Sequence, residues 1–279
     1  MKLSIIILNH NTRDLLRQTL DSIHTDLKHE IIVVDNASTD GSTEMIRLKY
    51  PGVQLILSDK NIGFAAGNNL GLHQARGQYL LTLNSDTQIV TDALERLVAY
   101  LDHHPDVGII TPKLVLSDGA IDLSCHRGFP TLGNSIAYFV GLESLLPDSK
   151  LTAGYHQTWQ DFTTIHQVDA VSGAAMMFRR SLLKEVGYLD EQFFMYAEDI
   201  DFCLRAKKAG WQVVFYPAAS IIHFKGASGT KSTNQRVKSI TRSHFYTTMK
   251  QYFAKHHQYP KPVQALVNLG IDFLAKIRK

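Results

Sequence analysis

Three carboxylates fall within four positions of "FFMYAEDIDFCLR", Phe193–Arg205: Glu198, Asp199 and Asp201. An apolar run precedes them. Acids this close repel one another and resist losing water, so a carboxylate at the edge of an apolar wall needs a reason. One reason is structural. Glu198 and Asp199 favour the positive end of a helix, and Asp201 stands four residues before Arg205, the spacing of a helical ion pair. Another acid, Asp86, stands just past the apolar run "QYLLTL", in "LNSD". A hard oxygen ligand there suits Mg2+ or Mn2+, ions that use few carboxylates and complete their shell with phosphate and water. Such an ion would neutralise charge on a leaving diphosphate. His223 ends a further short apolar run, ahead of a Gly-containing stretch.

Polar residues collect at other strand ends as well. They are Asn9-His10-Asn11, then Asp35-Asn36 with Ser38 and Asp40, then Asn84-Ser85-Asp86. Any one cluster reads as a turn or a helix cap. Three on one edge read as partners for a base, a ribose and a diphosphate. No G-x-G-x-x-G follows the first strand and no G-x-x-x-x-G-K-[ST] occurs, which excludes a dinucleotide fingerprint and a P-loop.

The elements that position these residues follow from periodicity. Apolar runs at 3–8, 30–35, 53–57, 78–83 and 107–112 alternate with helical spacing. This predicts an α/β fold with a mostly parallel central sheet covered by helices on both faces, and ligands at the carboxyl ends of its strands. Thr91 is expected to cap the helix that follows it. Residues 113–168 read as loop-rich with short strands, and 168–180 as a strand. Ser181 is expected to cap a short helix, and a longer one runs from Glu198 to Ala209. "WQVVFYP" and "SIIHF" read as two strands. A C-terminal helical extension covers 233–256 and 263–277, broken at Pro260 and Pro262.

With 279 residues, 44% hydrophobic and 20% charged, the chain can bury a substantial core as a soluble globular protein. Two cysteines, Cys125 and Cys203, argue against a disulfide framework and fit a reducing, cytoplasmic setting. "MKLSIIILNHNTRD" lacks a cleavage site and reads as a strand, not a signal peptide. No stretch approaches the ~20 apolar residues that span a bilayer. Residues 231–279 carry ten Lys/Arg against Asp272 alone, while the rest is mildly acidic. Val263, Leu266, Val267, Ile271, Leu274 and Ile277 make an apolar stripe with Lys276, Arg278 and Lys279 at its end. The preceding helix has a comparable stripe, including Val237 and Ile240, flanked by bases such as Arg236 and Lys238. This pattern suits a membrane surface at the inner face of the cell membrane, or packing on a subunit. Nucleic-acid binding is disfavoured, because the charge sits in one tail without a reading module.

In order along residues 1–228, "LSIIILNHN", "IIVVDNASTDGS", "NIGFAAGNNLG", "LTLNSDT", "VSGAAMMFRR" and "FFMYAEDIDFCLRAKKAGW" resemble the inverting glycosyltransferases of family 2, and most nearly bacterial rhamnosyltransferase-like members. The resemblance implies a GT-A fold. Its nucleotide-sugar-binding half would be 1–112, its acceptor-binding half 113–230, and 231–279 a basic helical tail. It implies that Asp35 meets the nucleotide base beside Asn9 and Asn11, with Asn36 and Ser38 near. Asn61, Gly63, Phe64, Asn68, Asn84 and Ser85 join the nucleotide-sugar site. Asn84-Ser85-Asp86 stands where the family often has Asp-x-Asp, leaving Asp86 as metal ligand with His223. "AED" resembles the family's acid pair, which makes Asp199 the catalytic base and Glu198 its substitute. The Gln-x-x-Arg-Trp motif of processive relatives is absent, which favours transfer of one sugar. The Arg that many relatives offer to the diphosphate is also absent. Asn68 and Asn69 stand there, and Lys225 or Lys231 would compensate from a loop able to close over the donor.

The implied function is metal-dependent, inverting transfer from a nucleotide-diphosphate donor such as dTDP-rhamnose to a glycan or lipid-linked glycan. The rivals are a sugar-1-phosphate nucleotidyltransferase, against which the missing Gly-rich basic phosphate loop counts, and a non-catalytic sugar-nucleotide binder.

Overall fold

The computed structural model describes residues 1–225 and 235–277, the first four of the latter by backbone alone. Lys231, Arg278, Lys279 and most of the proposed closing loop lie outside these residues, as do the side chains of Arg236, Val237 and Lys238.

β1 (Leu3–Asn9), β2 (His29–Asp35), β3 (Gln54–Leu57) and β4 (Tyr79–Asn84) alternate with α1 (Arg13–Asp21), α2 (Ser42–Lys49) and α3 (Phe64–Gln74). Then come β5 (Thr87–Ile89), α4 (Ala93–His103), β6 (Val107–Leu116), a 3-10 turn (Leu123–Cys125), α5 (Leu132–Phe139) and α6 (Leu142–Leu145). β7 (His166–Gln167), β8 (Ala175–Arg179), α7 (Leu182–Val186), α8 (Glu198–Lys208), β9 (Gln212–His223), α9 (Gln235–His256) and α10 (Lys261–Ile277) complete the order.

The nine strands among the described residues join one sheet, ordered β3-β2-β1-β4-β8-β6-β9-β5, with β7 added beside β9. β3, β2, β1 and β4 run parallel, as their continuous apolar sequences require. The sheet as a whole is mixed. β8 lies antiparallel to both β4 and β6, and β5 is antiparallel to β9. α3 packs very closely on β1 because Gly67 and Gly71 face it. A Cβ at these positions would come within 2.4 Å of Leu8 and 2.5 Å of Ile6.

Several local expectations are corrected. Thr91 does not cap α4. Asp92 holds that position in a left-handed conformation, φ 59°, without a side-chain cap bond. Ser181 makes no cap bond either. Only Ala175–Arg179 of the stretch 168–180 is strand. The two short strands expected at 211–224 are one, β9, whose pairing with β6 slips between Pro112/Tyr216 and Lys113/Ser220. Pro217 lies in that slip, where its missing N–H removes no needed ladder bond. Residues 113–168 hold the short strand β7, as expected, and also build α5 and α6.

Candidate active site

β1 and β4 are neighbours in the sheet, and successive connections leave them in opposite directions. Ligands sit at such a switch point in open α/β sheets. A cavity of about 290 Å³ opens there. Asn36, Asn61, Gly63, Phe64, Asn84 and Ser85 line it, as do Asp86, His223, Glu198 and Asp199. Residues from both ends of the chain thus meet in one cavity.

Others of the expected set stand behind its wall. Asn9 Nδ2 donates to Asp35 Oδ2 (2.9 Å) and to Ser38 Oγ (3.0 Å), and Ser38 N–H donates to Asp35 Oδ1 (2.8 Å). This buried network ties the ends of β1 and β2 together. Asn11 takes a left-handed backbone, φ 54°, and its Oδ1 accepts from Thr39 N–H at 2.8 Å. Asn68 does not line the cavity, because its amide donates to Phe64 O (2.9 Å) in its own helix. Asn69 is spent on Leu189 O and Glu191, both at 2.9 Å. Neither amide is placed to replace the missing diphosphate-binding Arg. Arg127 and Lys225 both line the cavity.

Gly63 carries this loop past the approach to α8. Its φ is +89°, and a Cβ would lie 2.4 Å from Phe194 O. Phe64 N–H donates to the same oxygen at 2.6 Å.

Asp86 and His223 are both buried, with Asp86 Oδ1 3.4 Å from His223 Nε2. The pairing of Thr87 with His223 and the bond from Phe224 N–H to Asp86 O (2.8 Å) fix them together. Asp122, buried at the 3-10 turn, accepts from His223 Nδ1 (2.8 Å) and Lys225 Nζ (2.7 Å). Burial works against the imidazolium, but the hydrogen bonds of Asp122 and Asp86 outweigh it and raise the His223 pKa to about 9. Burial likewise opposes the Asp122 carboxylate, yet His223 and Lys225 hold its pKa far below the usual range. Among the described residues no three His, Cys, Asp or Glu side chains are arranged to enclose an ion. A carboxylate and an imidazole side by side, the imidazole braced by a second carboxylate, fit an ion whose remaining ligands come from the substrate.

Tyr196 and Ala197, non-glycine residues at φ 71° and 65°, turn the chain into α8. Such backbone strain persists where the surroundings dictate it, and it concentrates at functional sites. It presents Glu198 and Asp199 in the first turn. Asp199 Oδ2 accepts from Arg127 Nη2 (2.8 Å) and Gly173 N–H (3.1 Å), and Oδ1 from Ile200 N–H (2.8 Å). One acceptor direction on Oδ1 is left for a ligand. Glu198 differs. Its Oε2 is buried without a partner, and burial, then the Asp199 charge, raises its pKa well above 4.5. Asp201 pairs with Arg205 at 2.8 Å as its spacing predicts, and also accepts from Lys255 (2.5 Å) and His256 (2.7 Å) of α9.

Sequence spacing did not reveal Arg127 or Asp122, which lie in the loop-rich segment, nor the backbone donor at Gly173. Arg127 lines the large cavity and also a second one of about 180 Å³. Ser124, Tyr196 and Asp199 line both too. The second cavity is closed by α5 and α9.

The chain is 28% identical over 218 residues to the N-acetylglucosaminyl-diphospho-decaprenol L-rhamnosyltransferase of Mycobacterium tuberculosis, covering 74% of this chain and 70% of that one. It is 28% identical over 229 residues to rhamnosyltransferase WbbL of Escherichia coli, covering 79% and 82%. Among solved structures, the mannosyltransferase PcManGT from Pyrobaculum calidifontis, in complex with GDP-Man and Mn2+, superposes over 99% of this chain and 70% of its own. Its TM-score is 0.59 at 20% identity. GalNAc-T7 with UDP, GalNAc and Mn2+ gives a TM-score of 0.59 at 18% identity, over 80% of this chain and 44% of that one. These likenesses establish the GT-A fold. The family model for "Glycosyl transferase family 2" matches residues 4–187, a range that ends before Asp199 and His223. The chain is therefore a glycosyltransferase and belongs to glycosyl transferase family 2.

Proposed function

We propose that the protein moves a single sugar, with inversion, from a nucleotide-diphosphate donor to a hydroxyl of a glycan or lipid-linked glycan in cell-surface polysaccharide synthesis. The rhamnosyltransferase relatives make dTDP-rhamnose the first donor to try. The carrying observation is that Asp86 with His223 and Asp199 line one cavity at the sheet's switch point. In this reading 1–112 supplies most of the donor site and 113–230 most of the acceptor side.

Asp86 and His223 would hold Mg2+ or Mn2+, and a bound ion would supply Lewis-acid neutralisation of the diphosphate. Asn36, Asn61 and Asn84 offer hydrogen bonds to the nucleotide, while Asp35, Asn9 and Ser38 set the strand ends behind them. Lys225 adds a cationic side chain to the cavity wall. Asp199 Oδ1 takes the proton of the acceptor hydroxyl as that oxygen bonds to the anomeric carbon. The bond from that carbon to the diphosphate breaks on the opposite face, and its electron pair leaves with the nucleotide. Arg127 and Gly173 N–H hold the carboxylate in line. Glu198, whose pKa is raised by burial, lines the same cavity beside Asp199.

No described helix is long and apolar enough to cross a membrane. α9 turns Tyr252 into the main core, and α10 packs on α9 through Ile271, Phe253 and Tyr246. α10 still leaves Leu266, Leu269, Phe273 and Ile277 exposed, at 57–68%. That face suits a lipid surface, and sedimentation with anionic vesicles tests it.

The central test is a thermal-shift screen of nucleotide sugars with Mn2+, followed by transfer assays. Asp199→Asn should lower transfer ~10²–10⁴-fold and keep donor stabilisation. Unchanged turnover would remove Asp199 from the role of base.

A further inference from the structure

The second cavity meets the first at Asp199 and Arg127, so whatever fills it lies beside the carboxylate, and Asp86 is not among its lining residues. Its walls are aromatic. Tyr138 and Tyr155 come from the 113–168 segment, Tyr196 from the approach to α8, and Phe245, Met249 and Tyr252 from α9. Tyr138 and Tyr155 stand 5.4 Å apart by ring centroids, and Tyr196 and Phe245 5.7 Å. Tyrosine offers a stacking face with a polar tip, which suits a ligand with apolar faces and hydroxyl edges.

A cavity of ~150 Å³ holds one benzene ring in an engineered core, so about 180 Å³ is room for one six-membered ring.

Charge narrows the ligand further. Arg127 and Asp199 neutralise each other at 2.8 Å. His156 is held neutral, its pKa lowered to about 4 by burial and then by the charge of Arg127. A phosphate or carboxylate would find no net positive charge.

We propose that this chamber binds one neutral pyranose ring, the acceptor sugar whose hydroxyl reacts, stacked on its aromatic walls beside Asp199. The proposal rests on the glycosyltransferase reading above and deepens it. It makes α9, which lies outside the matched family range, a wall of the acceptor site. It also assigns acceptor selectivity to Phe245 and Met249.

The test uses the full chain and methyl glycosides of common hexoses as probes, with octyl phosphate as the hydrocarbon control. Saturation-transfer NMR should show the ring C–H protons of at least one glycoside in contact with protein. Met249→Trp, which fills the chamber, should abolish that signal, and Phe245→Ala should weaken binding at least tenfold. Donor-induced thermal stabilisation is followed in the same samples and should persist in both variants, which also shows that they fold. Glycoside binding that is absent, or unchanged in both variants, while donor stabilisation is intact overturns the chamber assignment alone. Octyl phosphate binding in place of the glycosides overturns it in favour of a hydrocarbon site. Absence of donor stabilisation in the unaltered protein overturns the functional reading, and the acceptor role with it.

Discussion

Arg127 Nη2 meets Asp199 Oδ2 at 2.8 Å, and both side chains are about nine-tenths buried. Removing one member of such a pair strands the other's charge in a poorly hydrated place. Arg127→Met should therefore cost ~3–5 kcal/mol of stability, read from urea denaturation. The double variant Arg127→Met, Asp199→Asn should recover much of that loss without recovering transfer. Equal instability of single and double variants would show that the pair is not what holds this region.

Glu198 gives a pH signature. Its folded pKa is raised well above 4.5 by burial and the Asp199 charge. As pH rises past that unfolded value, the unfolded chain gains by ionising and the folded one does not, so stability is lost on the way up to the folded pKa. Glu198→Gln cannot ionise. Its melting temperature should exceed that of the unaltered protein by a margin that grows as pH rises above 4.5, at ~2–4 °C per kcal/mol. A margin independent of pH would contradict a raised pKa at Glu198.

Asp122 should act through His223. With a folded pKa raised to about 9 from 6.5, the imidazole contributes stability that is complete below pH 6.5 and is lost as pH climbs through about 9. In metal-free Asp122→Asn this alkaline loss should largely vanish, and the His223 titration followed by NMR should move back toward 6.5. Mn2+ affinity in the presence of nucleoside diphosphate should fall ~10–100-fold, the usual cost of losing such a brace.

Gly63→Ala should damage the donor loop. A methyl group there would meet Phe194 O at 2.4 Å, at a φ of +89° that L residues rarely adopt. A loss of ~1–3 kcal/mol in stability, together with weaker donor stabilisation, is expected by thermal shift. Full donor affinity in this variant would mean that the loop does not shape the nucleotide site.

The parallel half of the sheet was legible because each of its strands is a continuous apolar run ending in polar residues. Asp86, Asp199 and His223 were legible because each breaks such a run with a charge or an imidazole. Asn68 misled because an amide beside glycines looks exposed, whereas the close packing of α3 on β1 leaves it only its own helix to bond. Arg127 and Asp122 were invisible for a different reason. They act on partners 72 and 101 residues away, across β8 and β9, and no local period encodes that distance. β9 read as two strands because a Pro in a slipped ladder looks like a stop.

The seat of α9 has a practical cost for anyone shortening this protein. Asp201 has no exposed surface and takes two of its three side-chain partners, Lys255 and His256, from that helix. It lies two positions beyond Asp199. A chain cut ahead of α9 would leave this carboxylate to Arg205 alone and take the Tyr252 ring out of the core, so a truncation meant to tidy the end of the molecule would unsettle its working centre.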